Sequence, residues 1–211
     1  MDQIKLDNIE QGLQNPEGVI NSFEKIKSPE ELLDYMRENI EYGFVGKNNK
    51  RVYTTKDEDM GADFVKEYYL QTPEELLKSK CGVCYDSTEL ERFWFSKQKY
   101  EFKTFFLMFM KEINNNLPTH TFLAYKNNDK WSWFESSFKK HEGIHEFENI
   151  NDLFNDVKRK HLDSAIKNDG ATVEDYKDLK ISEYKTPKYG CGADDFINDI
   201  VSNNPAIEIE E

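Results

Sequence analysis

The sequence predicts an α+β domain, and three observations carry that prediction. Helix-start signals dominate the first hundred residues. Short aromatic-rich runs of strand character then crowd residues 102–136, and a helix, a strand and a last helix follow. Helices first and strands afterwards is the order of a domain whose helices pack on an antiparallel sheet. With 211 residues, of which 14% are aromatic, the chain can bury a core built around rings.

Residues 1–27 read as a polar arm of modest helical character. Ser28-Pro-Glu-Glu is a helix start, with Ser as N-cap, Pro at the first helical position and acids in the first turn. Leu32, Leu33, Met36 and Ile40 then recur at helical spacing. Thr72-Pro-Glu-Glu repeats the start signal, and that helix is expected to stop before Gly82. A further helix is expected from Cys84. Phe102 to Met110 is almost continuously apolar and suits a strand buried on both faces. His120 to Tyr125 and Trp131 to Ser136 read as two strands of a hairpin around Lys-Asn-Asn-Asp. A helix over about 150–165, a strand over 179–184 and a helix over 193–201 complete the order, with an acidic end expected to fray. The domain plan is therefore an arm (1–27), a core (28–165) and a C-terminal extension (166–211).

Acids outnumber Lys plus Arg by 41 to 28, giving a net charge of −13. No dense basic block stands against that excess, so neither nucleic acid nor an anionic membrane is expected as a partner. The longest apolar stretch, Phe105 to Met110, is too short to span a bilayer, and Met1 to Ile20 lacks a basic head followed by an apolar run. Three cysteines are too few for a disulfide scaffold and suit a reducing compartment. A cytoplasmic protein is expected.

The chemistry concentrates around Cys81-Gly-Val-Cys84-Tyr-Asp. Cys84 falls where a glycine-containing turn meets a helix start. Free backbone N–H groups and the positive end of the helix dipole there favour a thiolate and could hold a tetrahedral oxyanion. An unperturbed thiol titrates near roughly 8.5, so the placement matters. Taken alone, such a cysteine is more often a small buried hydrophobe. The hairpin adds partners. A two-residue turn at Asn127-Asn128 pairs Lys126 with Asp129, Ala124 with Trp131 and Phe122 with Trp133, and sets His120 directly opposite Glu135. A carboxylate there can bind one imidazole nitrogen and leave the other for the thiol. Cys84, His120 and Glu135 are therefore the candidate nucleophile, base and orienter.

These residues resemble the transglutaminase-like superfamily. Gly82-Val-Cys84-Tyr-Asp86, His120-Thr-Phe-Leu-Ala-Tyr and Trp131-Ser-Trp-Phe-Glu135 match, in order, its Gly-x-Cys at a helix start, its histidine opening a strand and its acid on the next strand after a tryptophan. The resemblance covers about residues 28–140. It implies a papain-like core with the cysteine helix packed on an antiparallel sheet, and acyl transfer through a thioester to water or to an amine. It assigns Cys84 as nucleophile, His120 as general base and acid, and Glu135 as orienter. The family usually carries Asp where this chain has Glu135. Tyr42 is a candidate second oxyanion donor. Peptide or amide hydrolysis is favoured over protein cross-linking, with a peptide, protein or small amide as substrate and no cofactor or metal. A binding module that has lost catalytic competence on the same scaffold is the alternative.

Other motifs compete. His141-Glu-Gly-Ile-His145 spells the zinc-peptidase pattern, which needs both imidazoles on one face of a stable helix; Gly143 and the absence of a clear third ligand weigh against it. Cys81 and Cys84 have the spacing of a redox pair but lack the βαβ context. Cys191, in Gly-Cys-Gly, is a rival nucleophile with no histidine tied to it and reads as structural. His161 lies on a charged helix and is expected to be solvated. There is no glycine-rich phosphate loop and no calcium loop of the EF-hand type.

Overall fold

A computed structural model describes residues 16–48 and 50–209. The first fifteen residues of the expected polar arm lie outside them. Helix α1 (Pro16–Phe23) leads to α2 (Pro29–Asn39), where the Ser28 hydroxyl accepts from Glu31 N–H as the sequence predicts. Strands β1 (Glu41–Val45) and β2 (Val52–Thr54) and helix α3 (Met60–Glu67) follow. Helix α4 (Pro73–Ser79) begins with a full capping box between Thr72 and Glu75. Two-residue β3 (Cys81–Gly82) then feeds α5 (Cys84–Lys97).

The second half supplies β4 (Phe102–Phe109), β5 (Thr119–Asn127), β6 (Lys130–Glu135) and β7 (Gly143–Phe147). Helix α6 (Ile150–Asn168), β8 (Leu179–Tyr184) and α7 (Ala193–Asn203) complete the order. The expected α+β fold is present. A five-stranded sheet, β7-β6-β5-β4-β8, is antiparallel throughout. A smaller sheet, β2-β1-β3, pairs β1 parallel to β3.

Both faces of the large sheet are covered, which explains the apolar run of β4. Phe105, Leu107 and Phe109 share one cluster with Phe154, Val157 and Leu162 of α6. Phe106 and Met108 point the other way, into a cluster with Tyr85 of α5 and Phe196 of α7. Leu90, Trp94 and Phe95 of α5 pack with Leu32, Leu33 and Met36 of α2 and with Leu123 and Phe134 of the sheet. The α5 helix thus lies on one face and α6 on the other. Bonds from Tyr85 to Thr119 and from Thr88 to Thr121 fasten the first turns of α5 to the start of β5. The expected fraying after α7 does not hold through residue 209. Ile207 N–H donates to Ile181 O at 2.8 Å, and Ile207 and Ile209 pack against the α6 cluster.

Among the described residues no helix is long and apolar enough to cross a membrane.

Candidate active site

The entry into α5 is built by its neighbours. Lys80 closes α4 in the left-handed conformation (φ 53°) and turns the chain into β3, which pairs with Glu41 and Tyr42 of β1. Val83 is the N-cap of α5 and Cys84 its first residue, buried at 5% exposure. Asp86, one turn in, accepts from Val83 N–H (3.0 Å), Gln71 N–H (2.9 Å) and the Tyr68 hydroxyl (3.3 Å). Burial nevertheless pushes its carboxyl up to about 7. That clamp fixes the elbow on which Cys84 sits. First-turn amides, including those of Cys84 and Tyr85, have no acceptor inside a helix and are free to bind negative charge.

His120 is the second residue of β5 and faces Leu107 of β4 across the ladder. Its Nε2 lies 2.7 Å from Glu135 Oε2, and the Cys84 thiol is close enough to act on the same ring. Glu135 ends β6, and its other oxygen accepts from the N–H groups of Ser137 (2.8 Å) and Phe138 (2.6 Å) and from the Ser137 hydroxyl (3.1 Å). Burial is the largest influence on His120 and disfavours its charge. The Glu135 carboxylate, the nearby Cys84 thiol and the hydrogen bond to Glu135 outweigh it and raise the imidazole to about 10. Burial works against the Glu135 charge too, but the charge of His120 and the hydrogen bonds overcome it, and the carboxyl is held below its usual range. The structure thus brings Cys84, His120 and Glu135 together.

The register differs from the expected one. The turn is at Asn128-Asp129, with Asn128 at φ 57°, and Ala124 pairs with Trp133 and Lys126 with Trp131. Moving the turn by one residue shifts every pair by two, and two is the side-chain period of a strand. His120 and Glu135 therefore stay on one face but meet diagonally.

Three further residues lie in or behind the site. Tyr42 on β1 is partly buried. Burial, followed by the electrostatic influence of Cys84, Tyr85 and Glu135, raises its phenol well above the usual range, so it remains a donor. His161, expected to be solvated, is instead buried in α6, with its ring stacked 6.3 Å from that of His120. Its imidazole is bonded to the Pro118 backbone, and its Nε2 has no partner. Burial, then the charge of His120, lowers it to about 3. The apolar stripe Phe154, Val157, Ala165 runs through position 161 at helical spacing and is the signal that marks it as buried. Glu91, two turns beyond Cys84, is buried and accepts from the Ser136 hydroxyl at 2.7 Å. Burial raises its carboxyl well above the usual range.

The competing motifs sit elsewhere. His141 ends a 3-10 turn and His145 lies on β7, so the two imidazoles do not share a helical face. Among the described residues no group of three or more His, Cys, Asp or Glu is arranged to hold a metal ion. Cys81 is fully buried behind β1, its thiol pushed up by burial and then by the charge of Asp86. Cys191 is half-buried ahead of α7, its thiol raised by burial and then by Asp195.

The family model of the transglutaminase-like domain matches residues 11–134. The chain belongs to the transglutaminase-like domain family. The match spans Cys84 and His120 and stops one residue before Glu135, so the carboxylate 2.7 Å from His120 lies just outside it. No curated protein matches the chain. In this transglutaminase-like protein two cavities flank the thiol and the imidazole. One, about 490 Å³, is lined by Cys84; the other, about 570 Å³, by His120; Tyr42 and Thr119 line both.

Proposed function

We propose that the protein is a thiol-dependent acyl-transfer enzyme that hydrolyses an amide or peptide bond. Cys84 is its nucleophile, His120 its general base and acid, and Glu135 the group that orients His120. The observation that carries this reading is the buried imidazole held between the Cys84 thiol and a carboxylate 2.7 Å away. A histidine so pinned keeps one nitrogen on the carboxylate and turns the other to the thiol, as the acid–base role requires.

The steps follow from the placement. The thiolate adds to the substrate carbonyl, forming the C–S bond and an oxyanion. The Cys84 amide is one donor for that oxyanion, and the protonated Tyr42 hydroxyl is a second candidate. His120 gives its proton to the leaving nitrogen as the C–N bond breaks, leaving a thioester. Water then attacks, His120 takes its proton, and the C–S bond breaks to release the acid and restore the thiolate beside a protonated His120. Cavities of about 490 and 570 Å³ suit short substrate segments and favour hydrolysis of small substrates over joining folded proteins.

Alkylation by iodoacetamide from pH 6 to 9, mapped by mass spectrometry in wild type and His120→Ala, tests the reading. Expected is a Cys84 that reacts at pH 6 far faster than Cys81 and Cys191 and slows at least tenfold, about the loss of one ion-pair partner, in the variant. A Cys84 of ordinary reactivity in both proteins would overturn it.

A further inference from the structure

The two cavities beside Cys84 and His120 differ in charge: one is lined by acids without a base, the other by two lysines and one acid. On the Cys84 side the charged lining residues are Glu112 and Asp194, with no lysine or arginine. Neither acid has a basic partner among the described residues, and Asp194 is close enough to Tyr85 for its charge to be felt there. Met60, Phe64 and Ile197 give the same cavity an apolar floor. On the His120 side the charged lining residues are Lys139, Lys140 and one acid, Glu41. Lys139 is bonded to Glu142 at 3.2 Å, whereas Lys140 has no acidic partner among the described residues. In a chain of net charge −13, an exposed lysine without an acidic partner among the described residues sets this side of the site apart from the other.

The order of bond breaking tells which part of a substrate enters which cavity. The acyl group becomes attached to Cys84 and must lie on the Cys84 side. The leaving amine takes its proton from His120 and must lie on the His120 side. In a peptide the acyl part runs toward the N-terminus and the leaving part toward the C-terminus. A free N-terminus is a cation and a free C-terminus an anion at neutral pH. Acids on the acyl side and an available lysine, Lys140, on the leaving side therefore match the polarity of an unblocked peptide lying across the thiol. An extended residue spans roughly 3.3–3.6 Å. Termini reach charges that line cavities of this size only when they are one or two residues from the bond that breaks.

We infer that the substrates are short peptides, of about two to four residues, with both termini free. Their ammonium group lies toward Glu112 and Asp194, and their carboxylate toward Lys140. This inference rests on the acyl-transfer reading and narrows it to a substrate class.

The test is a pool of cysteine-free tetrapeptides of randomised sequence, prepared in four forms: both termini free, N-acetylated, C-amidated, and blocked at both ends. Cleavage is followed by mass spectrometry with wild type and with Cys84→Ser as background. Each free terminus is expected to raise kcat/KM about two- to fivefold, chiefly through KM, as partly exposed charge pairs do. Lys140→Glu reverses the preference at the carboxyl end and leaves that at the amino end. Asp194→Lys does the converse. Both positions are exposed, so the folded protein tolerates the change. Equal cleavage of all four forms, or faster cleavage of the blocked ones, overturns the inference while the acyl-transfer reading stands. No cleavage of any form also overturns it. Alkylation then separates the cases: a fast, His120-dependent Cys84 keeps the acyl-transfer reading, and an ordinary Cys84 removes both.

Discussion

Glu135 reaches His120 on the diagonal. Continuing the observed register by one pair sets Phe122, not His120, opposite Glu135, yet Oε2 and Nε2 are 2.7 Å apart. Diagonal partners on an antiparallel ladder are roughly 7–8 Å apart at the backbone, beyond the spacing of a direct pair. The extra methylene of glutamate spans that difference. Where the family usually has aspartate, this chain has the residue its own register needs.

Glu135→Asp is therefore not a restoration. It withdraws the carboxylate by about one C–C bond, some 1.5 Å, and a displacement of that size lowers rates on the order of a hundredfold. The expected outcome is a fall in kcat in a protein that still folds, with a lowered thermal midpoint because the buried carboxylate leaves its donors. Cys84 alkylation with and without substrate, together with turnover of any cleaved peptide, measures it.

The same pair sets a pH dependence of stability. The folded His120 holds its proton up to about pH 10, whereas an unfolded histidine releases it near 6.5. Between those values the folded chain binds more protons than the unfolded one, so stability is full below about 6.5 and falls as pH rises toward 10. Glu135→Gln removes the anion that raises His120. Urea denaturation of that variant is expected to lose less stability between pH 6.5 and 10 than wild type does. Parallel curves would mean the carboxylate does not control the imidazole.

His161 acts with the opposite sign. Its folded ring stays neutral until about pH 3, and an unfolded histidine takes up its proton near 6.5. Stability is lost as pH falls through that window, on the order of 1–2 kcal/mol by pH 5. His161→Phe keeps a ring beside His120 and removes the titrating group. Its melting temperature is expected to drop less than that of wild type between pH 7 and 5.

Gly82 leaves no room for a side chain. A Cβ there would lie 2.7 Å from Leu76 Cδ1 and 2.8 Å from Asp86 Cβ, against a clamp that is itself fixed by three donors. Gly82→Ala is expected to destabilise by about 1–3 kcal/mol. Because the strain falls on the elbow, Cys84 alkylation should slow even in the folded protein. A variant that melts early but alkylates normally would separate the two effects.

Much of this was legible in the residues because the local signals were strong. Ser28-Pro and Thr72-Pro sit at the starts of α2 and α4, and β4, β8 and α7 fall where periodicity sets them. The hairpin face was also legible, since turns centred one residue apart give pairings that differ by two and so preserve parity. The register itself was not, because Asn127-Asn128 and Asn128-Asp129 are both good turn dipeptides. Strands β1, β2 and β3 run to five, three and two residues and exist through pairing with one another. No local propensity is strong over so few positions. His161 was hidden by the charges of Lys158, Arg159 and Lys160 around it, which obscured the apolar stripe on which it lies.

The placement of β4 between β5 and β8 has a consequence for how the protein is made. Its partner β5 follows after nine residues, but Thr104 and Tyr184, which share its other edge, are 80 residues apart in sequence. During synthesis the α5 helix and the β4–β5–β6 ribbon leave the ribosome first, with one side of a phenylalanine-rich strand still unpaired. Such an edge recruits strands from neighbouring chains. The hazard lasts until β8 arrives and Arg92 of α5 ties Thr104 to the Tyr184 backbone. Nascent chains stalled between residues 136 and 179 should be the ones that aggregate on polysomes and the ones that engage chaperones.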